Sequence, residues 1–444
     1  MPAFMAVHES GEQVTSVRFN PEKLTISDNG PYASPLTAHD RVPWSSNGYY
    51  LTTRPSFTFD PLFHAGVYYV QEASSMFVEQ ALRQTTDLSQ PLRVLDLCAA
   101  PGGKSTLLQS LINEKSLLVS NEVIKSRAAV LEENMVKWGA ANVVITNNDP
   151  AHFARLQNYF DVIVIDAPCS GSGLFRRDPD AISEWSENNV ALCSQRQQRI
   201  IADVWPALKQ NGLLIYSTCS YSKEEDENIL DWIVEIYKAE GIRLLADKEW
   251  NIVETLSEKH QMPGYRFYPD KVKGEGLFIT AVQKKEGTLF AGVKLGKNKI
   301  EKLSKAEESL IKPWINEDAD VFFFKQKEGI NAFPACLENE LPVLQSALYL
   351  KKAGIMTGKL AGKEVIPDHQ LAVSTIINKN IPHIALSRQE AIQYLRRDEI
   401  KIDTMHKGWM LVKYEGYNLG WIKALSNRFN NYYPKEWRIM KQPA

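Results

Sequence analysis

Two of the five cysteines in this chain keep unusual company. Cys169 lies in the run Asp166-Ala167-Pro168-Cys169-Ser170-Gly171-Ser172-Gly173, and Cys219 lies in Ser217-Thr218-Cys219-Ser220. A structural cysteine usually sits inside a strand or helix, where it behaves as a small, inert hydrophobe. Cys193, on a predicted helix, and Cys336 fit that description. Cys169 and Cys219 instead occupy polar turns rich in serine and glycine, each just after an apolar, strand-like run. A free thiol has a pKa of about 8.5 and is only a few per cent thiolate at neutral pH. Nucleophilic use needs a nearby cation or helix N-terminus, and Lys104 is a candidate for the charge. Position alone therefore points to a chemical role for at least one of the two thiols, without saying which.

The elements that must carry these thiols read as an α/β sheet. The stretch RVLDLCAAPGGKSTLL, residues 93–108, begins as a short strand and stops at Cys98-Ala99-Ala100-Pro101-Gly102-Gly103. From Lys104 the spacing of Leu107, Leu108, Leu111 and Ile112 is helical. Strand, glycine turn and helix form the first unit of a nucleotide-type domain, whose ligand lies at the carboxyl end of the strand. It is not a P-loop, because the first glycine of that motif falls on Cys98, and GxGxxG is absent. A glycine turn by itself would be only a tight connection. The partner segments decide. A second strand at 117–120 has Glu122 just past its end, placed to accept hydrogen bonds from a ribose or, on the plainer reading, a solvated helix-start glutamate. A helix at 125–138 leads to a third strand at 143–146, which ends at Asn147-Asn148-Asp149, a cluster able to meet an adenine edge. A fourth strand, 160–165, is almost wholly apolar and so predicted to be buried on both faces. A fifth spans 212–217. The two thiols thus emerge at the carboxyl rim of the sheet.

Composition bounds the rest. With 51 Lys and Arg against 53 Asp and Glu, the net charge of −2 does not advertise a nucleic-acid binder, so such binding must rest on local basic faces. The cysteines are odd in number and contain no CxxC, which argues against a disulfide framework and against a zinc site; no metal is expected. No apolar run reaches membrane length and no signal peptide is evident, so a soluble cytoplasmic protein is expected, with no membrane partner. Residues 14–19 and 49–53 read as strands and 28–31 and 45–48 as turns. Lys294, Lys297, Lys299, Lys302 and Lys305 form a basic stretch, either a solvated connector or a strap for phosphates. A further region starts at Leu310, with Trp314 and the run 321–324. Residues 409–414 and 417–422 read as a hairpin turning at Glu415-Gly416. Arg428, Phe429, Tyr432, Tyr433, Lys435, Trp437 and Arg438 suit backbone contact and base stacking, or the core of a small barrel.

Taken together, CAAPGGKS, DAPCSGSG and YSTCSYSKEEDEN, with the lead-in YYVQEASS, resemble the core motifs of the Nop/Sun family of RNA cytosine-5 methyltransferases, in order and approximate separation. The pairing of DAPC with TCS is the most diagnostic part, and the match runs over residues 68–282. MTGKLAGKEVIPDHQLA and GWMLVKYEGYNLGWIK resemble the carboxy-terminal extension of the bacterial branch related to ribosomal small-subunit RNA methyltransferase F. The chain departs from the family at its start. Relatives usually place a helical segment before the first strand, whereas only residues 1–10 precede it here, so a shortened RNA-contacting surface or a truncated start is expected.

The resemblance implies a Rossmann-like S-adenosylmethionine-dependent core, a small N-terminal α+β module and a C-terminal α+β/β-barrel, PUA-like RNA-binding region. The implied division is an RNA-binding module at 1–67, a catalytic domain at 68–285, a basic linker at 286–308, an intermediate α+β region at 309–365 and the PUA-like domain at 366–444. S-adenosylmethionine would be held by Cys98, Ala99, Ala100, Pro101, Gly102, Gly103 and Lys104 at its methionine end. Glu122 matches the ribose ligand, assisted by Arg127, Asp149 the adenine-side acid, and Asp166 the acid beside the reactive methyl. Cys219 matches the attacking thiol and Cys169 the thiol that helps release. The implied reaction is methylation of cytosine C5 through a Cys–C6 adduct, with 16S ribosomal RNA or the small subunit as partner and a monomer as the working unit. Transfer RNA as substrate is the alternative within the chemistry. A ribosome-assembly RNA-binding protein without activity is the alternative outside it, and the intact Cys219, Cys169 and Asp166 argue against that.

Overall fold

The computed structural model describes residues 2–24, 38–288, 290, 292, 300–326, 329–400, 405–426 and 428–442. The turn expected at 28–31 and the lysines Lys294, Lys297 and Lys299 lie outside them. A ten-stranded mixed sheet forms the centre. Its parallel strands lie in the spatial order Val143–Thr146, Leu117–Asn121, Arg93–Asp96, Phe160–Asp166, Leu208–Thr218. Past Leu208–Thr218 the sheet continues antiparallel through Leu277–Gln283, Pro263–Phe267 and Val253–Leu256. Alternation sends the β-branched residues of one strand to opposite sides. Val162 and Val164 enter one hydrophobic cluster, Ile163 and Ile165 the other, which is why that strand is apolar throughout. The helix Lys125–Trp138 has the limits its periodicity predicts.

The N-terminal residues form a helix, Pro2–Glu9, and a four-stranded sheet of Thr15–Phe19, Ala38–Arg41, Gly48–Leu51 and Tyr68–Val70. This sheet is fastened beneath the helix Gly103–Leu111 by Arg18, which is fully buried. Its guanidinium donates to Gln71 Oε1 at 2.8 Å and Thr106 Oγ1 at 2.6 Å, and lies 4.7 Å from the ring centre of Trp138.

Towards the C-terminus a five-stranded sheet runs from Glu301–Lys302 to Glu364–Pro367. Within this stretch, Leu350–Ala353 leaves its neighbours and pairs antiparallel with Val143–Thr146, forming the edge of the central sheet. Asn148 secures the junction, donating to Tyr349 O at 2.9 Å and accepting from Tyr349 N at 3.0 Å. A four-stranded sheet follows, built on the hairpin Gly408–Tyr414 and Tyr417–Ala424, with Tyr414 opposite Tyr417 as the two-residue turn requires. Of the mixed tail residues, Tyr433 and Trp437 are drawn into the core shared with the N-terminal sheet, whereas Arg428, Tyr432, Lys435 and Arg438 are exposed. Cys336 corrects an expectation. It is exposed, because it sits in a one-turn helix, Ala335–Leu337, that buries only Leu337. Among the described residues no helix is long and apolar enough to cross a membrane.

Candidate active site

The chain reverses its direction across the sheet between Arg93–Asp96 and Phe160–Asp166, leaving a crevice at their carboxyl ends. The Cys98–Lys104 loop lines one side. Gly102 takes φ +116°, a conformation that suits glycine, and so lets the chain turn into the helix. Three side chains hold the loop by its carbonyls: Asn121 donates to Leu97 O at 3.1 Å, Arg127 to Ala100 O at 2.8 Å, and Asn134 to Pro101 O at 2.8 Å. The loop thiol of Cys98 is half-buried, and desolvation, followed by the neighbouring Asp96, pushes its pKa up.

The acids on this side have lone pairs to spare. Glu122 is buried; one oxygen accepts from Ile124 N at 2.9 Å, and the other lies 3.6 Å from Arg127. The solvated-glutamate reading is thereby corrected: the strand end and the following turn enclose the carboxylate. Asp149 is exposed and caps the turn Pro150–Arg155 through Ala151 N at 3.0 Å. Asp96 accepts from Ser105 Oγ at 2.7 Å, while its Oδ1, also buried, has no hydrogen-bond partner. Burial raises the Asp96 pKa to about 7, against the pull of Ser105 and Lys104. A buried carboxylate with an oxygen left over, an exposed acid past the next strand and an orphaned acceptor under a glycine loop have a chemistry that fits the polar groups of S-adenosylmethionine.

On the other side of the crevice stand the thiols. The strands Phe160–Asp166 and Leu208–Thr218 are hydrogen-bonded neighbours, so the turns that follow them are neighbours too. The Sγ atoms of Cys169 and Cys219 are 3.0 Å apart. The Cys169 thiol is pushed up, first by its hydrogen bond to Cys219 and then by burial. Gly173 N donates to Cys219 O at 2.8 Å, tying the two turns together. No side chain fits at 173, where a Cβ would lie 2.8 Å from both Cys219 O and Gly276 O. Between thiols and loop lies a third pair: Lys104 Nζ is 2.7 Å from Asp166, whose other oxygen accepts from Ser217 Oγ at 2.8 Å. Burial works against the Lys104 charge, but Asp166 more than offsets it and holds the lysine above its ordinary value. The thiols, the Lys104–Asp166 pair, Glu122, Arg127 and the Cys98–Lys104 loop gather around this crevice; Asp149 is exposed and is held by the turn it caps.

Sequence reasoning passed over Glu225 and its partners Ser170, Ser220 and Gln197, although Glu225 lies in the quoted run SKEEDEN. The run of four acids there, Glu224 to Glu227, looks like a solvated helix start. Only Glu224 is exposed; Glu225, Asp226 and Glu227 are buried instead. Asp226 and Glu227 face Arg266 at 3.0 Å and 2.5 Å, and Glu225 turns to the cysteine loops.

Fold and crevice together define an S-adenosylmethionine-dependent methyltransferase with a Rossmann-like core. The family model described as 16S rRNA methyltransferase RsmB/F matches residues 84–283, the N-terminal domain of 16S rRNA methyltransferase RsmF matches 1–73, and the methyltransferase RsmF PUA domain matches 381–439. The ribosomal RNA small subunit methyltransferase F of Vibrio atlanticus is 31% identical over 95% of this chain and 90% of its own. That of Aeromonas salmonicida is 30% identical, with the same coverage. A methyltransferase homolog protein from Pyrococcus horikoshii is a structural neighbour at 28% identity and a TM-score of 0.52, covering 64% of this chain and 90% of its own. This chain belongs to the ribosomal RNA small subunit methyltransferase F family.

Proposed function

We propose that the chain methylates C5 of a cytosine in RNA, with 16S ribosomal RNA as substrate, through a covalent adduct between Cys219 and C6. The observation that carries the reading is the pair of thiols 3.0 Å apart beside the Lys104–Asp166 ion pair. Cytosine C5 is a poor nucleophile. Addition of the Cys219 thiolate to C6 makes C5 enamine-like and splits one hard step into easier ones. Charge that develops on the ring at N3 is neutralised by a proton from the acid form of Asp166, and the Lys104 ammonium 2.7 Å away stabilises the carboxylate left behind. Bound S-adenosylmethionine supplies the electrophilic methyl group; Glu122, Asp149 and the Cys98–Lys104 loop would hold it. After methylation a base takes the C5 proton, which restores the ring double bond and expels Cys219 as a thiolate, and the N3 proton returns to Asp166. Cys169, whose Sγ lies 3.0 Å from that sulfur, helps the release.

The target base must leave its stack to reach the crevice. The N-terminal sheet and the exposed Arg428, Tyr432, Lys435 and Arg438 of the C-terminal region serve as the RNA contacts in this reading. Its relatives' names, the PUA-type match and the crevice support it. The test is transfer of labelled methyl from S-adenosylmethionine to small-subunit RNA, followed by bisulfite mapping. Label appearing at a cytosine C5 with wild type and not with Cys219→Ala supports the reading. Label on transfer RNA alone would move the substrate, and label unaffected by Cys219→Ala would sink the mechanism.

A further inference from the structure

Each thiol is followed by a serine, Ser170 after Cys169 and Ser220 after Cys219, and both serines turn to the same buried carboxylate. Glu225 is fully buried. Its Oε1 accepts from Ser170 N at 2.8 Å and Gln197 Nε2 at 3.1 Å; its Oε2 accepts from Ser170 Oγ at 2.5 Å and Ser220 Oγ at 2.6 Å. Gln197, equally buried on the helix Glu187–Val204, also donates to Pro168 O at 3.1 Å, on the other side of Cys169. Among the described residues, no lysine or arginine comes within ion-pair distance of Glu225. A buried carboxylate without a cation is costly unless its lone pairs are filled, and here donors from both thiol loops fill them.

The carboxylate is held from behind as well. Tyr216 Oη donates to Glu225 O at 2.7 Å, and the next residue, Asp226, accepts from Thr218 Oγ1 at 2.6 Å and faces Arg266. Moving either cysteine loop away would therefore strip donors from a charge that has no solvent to replace them. Neither loop drifts cheaply.

We infer that Glu225 is the positioning residue of the thiol pair: it gathers the turns after two neighbouring strands and fixes the separation of Cys169 and Cys219. It touches neither thiol's substrate. It acts through Ser170 and Ser220. The inference rests on the reading of Cys169 and Cys219 as the reacting pair, but its first test needs neither RNA nor methyl donor.

That test oxidises the thiols in the full chain with diamide. The two sulfurs join as their two hydrogens pass to the diazene, which becomes a hydrazine, and intact-mass and peptide mapping follow the Cys169–Cys219 bond. Glu225→Gln keeps the shape but sets an amide N–H against serine donors. We expect disulfide formation at least tenfold slower than in wild type, with cofactor affinity within twofold and a variant that remains folded at the assay temperature although its unfolding transition is lowered. Turnover should fall with little change in KM for RNA. Ser220→Ala, which removes one donor from the same carboxylate, should slow disulfide formation in the same direction and serves if Glu225→Gln does not fold. Equal disulfide rates in wild type and variants would overturn the assignment. So would a slowing that comes only with lost cofactor affinity, since that is general loosening. Loss of methylation in wild type itself, with the disulfide result intact, would instead count against the proposed function.

Discussion

The two sides of one crevice use their carboxylates in opposite ways. On the cofactor side, side-chain amides and a guanidinium grip backbone carbonyls, and the acids keep free oxygens: Asp96 has one without a partner, and Glu122 meets Arg127 only loosely at 3.6 Å. On the thiol side, Glu225 accepts four hydrogen bonds and Glu227 pairs with Arg266. Asp166 lies between and is bound on both oxygens. The contrast separates residues with acceptor positions left over from residues whose acceptors are taken up by their neighbours. Burial does not tell them apart, since both kinds are buried. Spare lone pairs do.

The largest effect that would sharpen this contrast is at the thiols. Cys219→Ala should abolish methylation and covalent RNA capture together. Cys169→Ala should let the adduct form and resolve slowly, leaving a protein–RNA species on denaturing gels that vanishes when Cys219 is also replaced. A stable adduct in Cys219→Ala and not in Cys169→Ala would reverse the assignment.

Next comes the residue between the two sides. Asp166→Asn keeps the shape and removes the proton carrier, so kcat should fall by about 10²–10⁴, the usual scale of general acid–base help. A matching fall in cofactor affinity alone, with kcat intact, would move Asp166 to the ligand-holding side. A smaller effect belongs to Glu122→Ala. Hydrogen bonds to a charged group contribute about 1.5–3 kcal/mol, so calorimetry should show cofactor binding weaker by about 10- to 150-fold. Diamide oxidation of the thiols should be unchanged in that variant; a slowed oxidation would break the division drawn here.

The smallest effect is a pH slope. Burial raises the Asp96 pKa from 3.8 to about 7, so the fold prefers the neutral acid. Its contribution to stability is complete below the unfolded value and is lost as pH rises from about 4 to about 7. Asp96→Asn, which stays neutral, should gain stability relative to wild type across that window, by less than about 1.4 kcal/mol per pH unit. Parallel stability curves for the two proteins without cofactor would show that Asp96 is no strained acceptor.

What could be read from the sequence was what short stretches decide for themselves. The helix Lys125–Trp138, the strand Val143–Thr146 and the turn between Tyr414 and Tyr417 follow from periodicity and turn chemistry. The thiols, Lys104, Glu122 and Asp166 announced themselves at strand ends. Glu225 did not, because its donors come from turns roughly 50 residues apart in the chain and nothing local distinguishes it from Glu224. Arg18 was hidden in the same way, its partners Gln71 and Thr106 lying 53 and 88 residues further along the chain. The helix Pro2–Glu9 gave no signal, since its apolar residues, Ala3 to Val7, run consecutively and show no helical period.

The edge strand Leu350–Ala353 carries a consequence for how the molecule is made. Its partner Val143–Thr146 leaves the ribosome roughly 200 residues earlier, and at about 5–20 residues per second that is about 10–40 s of synthesis. For that interval the catalytic sheet has a row of unpaired amides and carbonyls facing water, a template for pairing with a neighbouring nascent chain. Asn148, whose side-chain amide later pairs with Tyr349, stands two residues beyond that open strand and stays unpaired for as long. The vulnerable period of this protein therefore falls during translation, and it ends only when the tail that follows the catalytic domain arrives to close the sheet.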